Sequence, residues 1–133
     1  MTYRTLEAAP RLNGVLSDID AREGLLIGGA MRAASDHGSF DVVDPACGEP
    51  FATVADATLE DARAAVDAAA AALPAWDATA PRLRGELLRS LFSLMIDAED
   101  DLAALISAEN GKSLADALGE VRYAAEFFRW FSE

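Results

Sequence analysis

A chain of 133 residues with 52% apolar and 26% charged side chains has the length and composition of one folded soluble domain. Its 23 Asp and Glu against 11 Lys and Arg give a formal charge of −12, which repels phosphate backbones and anionic headgroups and argues against nucleic-acid and membrane partners. The single cysteine, Cys47, excludes an intrachain disulfide, no apolar run approaches the ~18 residues of a membrane span, and the opening residues lack a secretory core segment, so a cytoplasmic protein is expected.

Residues 1–24 carry a loose pattern of Leu6, Leu12, Val15, Leu16 and Ile19, interrupted by Pro10 and Gly14, and read as an N-terminal arm or short helix. Residues 25–56 read as short strands and turns. Leu25, Leu26 and Ile27 run into Gly28-Gly29, a tight turn or a close backbone approach within a strand pair. A second strand spans 40–43 and a third 51–54. Between them Pro45 suits the second position of a turn and Gly48 the fourth. Three short strands are too few for a sheet with its own core.

Residues 57–133 read as helical. Thr58 and Asp61 form a capping-box variant, and an alanine-rich helix runs to Leu73, where Pro74 should end it. Thr79 is expected to cap a second helix with Pro81 in its first turn. Its Leu83, Leu87, Leu88, Leu91, Leu94 and Met95 hold one face over more than three turns, the clearest periodic signal in the chain. The acidic residues of 97–101 suit the positive end of a third helix, which stops at Asn110-Gly111 with Gly111 as a left-handed cap. Ser113 and Asp116 open the fourth helix.

That last helix, 113–131, holds Tyr123, Phe127, Phe128, Trp130 and Phe131, half of the aromatic residues. Leu114, Leu118, Val121 and Phe128 share one face, while Tyr123, Phe127, Trp130 and Phe131 spread over a neighbouring sector. So wide an apolar surface calls for partners on two sides. The expectation is a mainly α chain, a few short strands followed by four helices, that is the front part of a larger fold.

Candidate chemistry is sparse. Gly28-Gly29 has no phosphate-loop pattern around it, and neither the dinucleotide fingerprint nor the Walker pattern occurs, so no cofactor is assigned to this chain. His37 has no cysteine partner nearby and reads as a solvated loop residue. Cys47, between proline and glycine, has no recognisable base, and Glu99-Asp100-Asp101 is explained by a helix N-terminus. Glu109 reads as a solvated helix end that could alternatively serve as a carboxylate ligand, and Glu120 sits among apolar neighbours where burial would require a partner. No catalytic or metal-binding set assembles from spacing alone.

Four landmarks, taken together, resemble the beginning of the aldehyde dehydrogenase superfamily: Ile27-Gly28-Gly29; Val42-Val43-Asp44-Pro45-Ala46-Cys47-Gly48-Glu49; Glu109-Asn110-Gly111-Lys112; and Gly119-Glu120-Val121 through Tyr123-Ala124-Ala125 to Trp130-Phe131. The fourth is most similar to the succinate-semialdehyde dehydrogenase branch. Asp44 and Cys47 depart from the family's usual Asn and Thr or Ser, which touches turn detail rather than fold. The resemblance implies an α/β, Rossmann-related family fold that oxidises aldehydes with a cysteine nucleophile, a glutamate base and NAD or NADP. All of these lie downstream of the matching span, so catalytic incompetence is expected of this chain, and Cys47 is not the nucleophile. It further implies that Gly119 and Tyr123 line an aldehyde entrance tunnel, and that Glu109 and the backbone of Val42 match a structural monovalent-cation site. Phe127, Phe128, Trp130 and Phe131 are the expected interface. Its partners are then the remainder of the dehydrogenase fold or, in a non-enzymatic alternative, a second copy or another protein, with a homo-oligomer expected.

Overall fold

The computed structural model describes residues 24–133. The arm expected over 1–24 therefore lies, Gly24 apart, outside the described residues.

The first element is a hairpin of β1 (Leu25–Ile27) and β2 (Ala30–Arg32), with Leu25 opposite Arg32 and Ile27 opposite Ala30. Gly28 and Gly29 have φ of 63° and 81°, the positive pair that a two-residue type I′ turn demands. The glycine pair is thus the expected tight turn, and Ala30–Arg32 is a strand that the sequence reading missed. Ala30, Met31 and Arg32 are too short a run to give a periodic signal. A second antiparallel hairpin joins β3 (Ser39–Val43) to β4 (Pro50–Ala55), so four strands form two separate two-stranded sheets. In the connecting turn the Cys47 N–H donates to the Asp44 carbonyl at 3.3 Å and the Gly48 N–H at 2.7 Å. Pro45 takes the second position as expected. The fourth, however, is Cys47, and Gly48 follows it.

Helix α1 (Leu59–Ala78) starts at the expected capping box: Thr58 Oγ1 accepts from the Asp61 N–H, and the Asp61 carboxylate accepts from the Thr58 N–H. It does not stop at Pro74, which lies inside it. A proline there forfeits one backbone bond, but the turn beyond it is tied from several sides. Thr79 Oγ1 donates to the Ala75 carbonyl at 2.9 Å, and Arg84 Nη1 donates to the carbonyls of Asp77 and Thr79 at 3.0 and 2.6 Å. Thr79 is consequently the C-cap of α1, not the cap of the next helix. Helix α2 (Pro81–Asp97) begins at Pro81 with Ala80 as an N-cap that makes no side-chain bond.

Helix α3 (Glu99–Asn110) carries Glu99, Asp100 and Asp101 in its first turn and ends at Gly111, whose φ of 71° and ψ of 13° make the left-handed cap expected there. Helix α4 (Leu114–Phe131) is capped by Ser113, whose Oγ accepts from the Asp116 N–H at 3.2 Å. It is central, packing against both α2 and α3. The core between α3 and α4 is built from Ala103, Ala117 and Val121, with Leu102, Ile106 and Leu118 around them. Of the face expected to be buried, Val121 is buried and Leu114, Leu118 and Phe128 are half-buried, while Ala117 and Ala125 do the closest packing. No residue of α2 is fully buried, and Leu83, Leu87, Leu91 and Leu94 face outward. Among the described residues no helix is long and apolar enough to cross a membrane.

Candidate functional site

The positions singled out in the sequence converge mainly on the outward side of α4. At 100° per residue, Gly119, Tyr123, Phe127 and Trp130 fall within one sector, roughly opposite the buried line of Ala117, Val121 and Ala125. Tyr123 and Phe127, one turn apart, make an edge-to-face pair with centroids 5.1 Å apart. Tyr123 is 67% exposed, Trp130 68% and Phe131 69%. Phe128, one residue beyond Phe127, turns the other way and is half-buried. Gly119 is exposed, and a Cβ added there would meet nothing within 4 Å.

Polar clamps hold α4 in place. Near its start, Lys112 pairs with Glu120, and Ser107 Oγ donates to the Lys112 carbonyl at 2.7 Å. In its middle, Arg122 donates two bonds to the Glu99 carboxylate, at 2.7 and 2.9 Å. The two hydrogen bonds and the guanidinium charge hold the Glu99 carboxyl below its usual range. Near the end, Arg129 lowers the Glu126 carboxyl in the same way and also reaches Glu133, to which Arg89 of α2 donates at 3.3 Å. Gly119 and Tyr123 thus flank residues, Glu120 and Arg122, that pair with the α3–α4 turn and with α3.

Val42 is half-buried on β3, and Glu109 is exposed in the last turn of α3. Their neighbourhoods meet: Pro45 Cγ lies 3.1 Å from where a side chain on Gly111 would begin. Among the described residues no group of three or more His, Cys, Asp or Glu could hold a metal ion. Cys47 is exposed in the β3–β4 turn, and His37, with φ of 61°, stands in the loop before β3. A cleft of about 210 Å³ between the hairpins is lined by His37, Ser39 and Thr53 among others, and a groove of about 390 Å³ lies on α1 around Leu59, Arg63 and Val66. Neither reaches α4.

One cluster escaped the sequence reading. Asp61, 2% exposed, is one of two buried charged residues among those described. Its Oδ2 accepts from the backbone N–H groups of Ser35 and Thr58, both at 3.0 Å, and from the hydroxyls of Thr58 at 2.9 Å and Ser35 at 3.2 Å. Arg32 stands 3.6 Å from Oδ1. The Ser35 N–H, then the Thr58 N–H and the two hydroxyls, outweigh desolvation and lower the carboxyl from 3.8 to about 2. The local signal for a cap was legible, but nothing in the sequence announces that Ser35, 26 residues earlier, shares the same oxygen. This cluster pins the loop after β2 to the start of α1.

A sequence model of the aldehyde dehydrogenase family matches residues 32–133. The chain is 44% identical over 112 residues to an NADP(+) succinate-semialdehyde dehydrogenase of Escherichia coli, covering 84% of this chain and 23% of that enzyme. It is 56% identical over 83 residues to the succinate-semialdehyde dehydrogenase of Paenarthrobacter nicotinovorans, covering 62% of this chain and 18% of that one. A glutarate-semialdehyde dehydrogenase of Pseudomonas putida is 43% identical over 112 residues, covering 84% and 23%. Among solved structures, an E. coli NADP-dependent enzyme superposes with a TM-score of 0.81 at 43% identity, and a succinate-semialdehyde dehydrogenase from Burkholderia pseudomallei with 0.80 at 40%, each over 84% of this chain and 23% of the other. The chain thus spans about a fifth to a quarter of the length of these relatives.

Proposed function

From the premise that this chain belongs to the aldehyde dehydrogenase family, we propose that it is one segment of an NAD- or NADP-dependent enzyme that oxidises succinate semialdehyde to the carboxylic acid. The observation that carries this reading is the 43–56% identity to semialdehyde dehydrogenases, concentrated in a span that makes up only 18–23% of their length. In this reading the segment supplies scaffold rather than chemistry. The family's nucleophilic cysteine, glutamate base and cofactor-binding segment belong to the remaining length. Among the described residues no glycine-rich turn leads from a strand into a helix, the cradle a dinucleotide's phosphates would need. No reaction step is therefore assigned to the residues present.

What the segment contributes is a wall. Gly119 and Tyr123 on α4 border the aldehyde entrance; the open space beside Gly119 and the exposure of Tyr123 support that role. The Val42 carbonyl and Glu109 contribute to a monovalent-cation site whose other ligands come from the rest of the enzyme. The rest of the fold covers the aromatic sector, and the complete protein is a cytoplasmic homo-oligomer.

Grafting tests this reading. Replacing the matching segment of the E. coli enzyme with this chain should give a soluble chimera that reduces NADP with succinate semialdehyde. A folded chimera without turnover would overturn the assignment. The isolated chain should reduce neither NAD nor NADP above background.

A second reading is favoured by the exposure of Trp130 and Phe131: the isolated chain covers its aromatic sector by self-association. The double change Trp130→Ser and Phe131→Ser should then convert an associated species to monomer by light scattering, and an unchanged mass would count against it.

A further inference from the structure

We draw no further inference here: the strongest candidate, the outward aromatic sector of α4 around Tyr123, Phe127, Trp130 and Phe131, is an unpartnered apolar face already assigned to the proposed dehydrogenase segment, and nothing in the structure shows what covers it.

Discussion

Two helical glycines, Gly85 in α2 and Gly119 in α4, should respond differently to alanine. A glycine inside a helix costs about 1 kcal/mol relative to alanine, and neither residue has a positive φ that would forbid a side chain. At Gly119 an added Cβ meets nothing within 4 Å, so Gly119→Ala should gain roughly 0.5–1 kcal/mol. At Gly85 the same Cβ would stand 2.7 Å from the backbone carbonyl oxygen of Ser132, at the end of α4. That oxygen belongs to backbone rather than to a flexible side-chain tip, so either α2 and α4 separate or the backbone at Ser132 shifts. Overpacking of this kind costs about 1–3 kcal/mol, which cancels or exceeds the gain in helix propensity. Urea unfolding followed by far-UV circular dichroism would read both changes as shifts in midpoint at constant slope. The Gly119→Ala midpoint should rise and that of Gly85→Ala should stay level or fall. Equal stabilisation by both would refute the close approach of Ser132 to Gly85. If Gly119→Ala stabilises the chain yet raises KM for succinate semialdehyde in the grafted enzyme, the glycine is retained for the passage beside it rather than for the helix.

Thr58→Ala should cost about 1 kcal/mol by removing the α1 cap, whereas Thr58→Ser should keep most of it, and equal losses in the two variants would show that the hydroxyl is not the operative group. Asp61 sets a pH dependence: a carboxyl lowered on folding from 3.8 to about 2 contributes its stability in full above the higher value. That contribution fades as pH falls through this window and is gone below the lower value, so the urea midpoint should drop there. Asp61→Asn should flatten this part of the acid limb, and an unaltered limb would remove Asp61 as its cause.

The features legible in the sequence are those decided within a few residues. Gly28-Gly29, the Thr58 box, Gly111 and Ser113 are local backbone problems, and each local solution appears where expected. The misreadings are of another kind. Pro74 predicts a helix stop, yet the helix continues past it to a turn where Arg84, ten positions later, reaches back to the carbonyls of Asp77 and Thr79. Alanines are equally mute. Ala69, Ala70, Ala71 and Ala72 of α1 are exposed, while Ala103, Ala104, Ala117 and Ala125 are the tightest core, and no composition rule separates them. Periodicity, finally, marks an apolar face without saying where its partner lies: the leucine stripe of α2, the clearest such signal, looks outward.

An alanine core has an energetic consequence for α4. Small side chains let helices approach closely but remove little apolar surface from water, and the residues with most to gain are left outside. Leu83, Leu87, Leu91 and Leu94 on α2, with Tyr123, Phe127, Trp130 and Phe131 on α4, are each between 39% and 69% exposed. Full burial of a large apolar side chain is worth about 1.5–3 kcal/mol, so covering these eight would contribute on the order of 10 kcal/mol. Whole domains have net stabilities of roughly 5–15 kcal/mol. A layer placed over these faces would therefore add a term comparable to the net stability of a whole domain, which is why the proposed role of this segment is that of a scaffold completed by the rest of the enzyme.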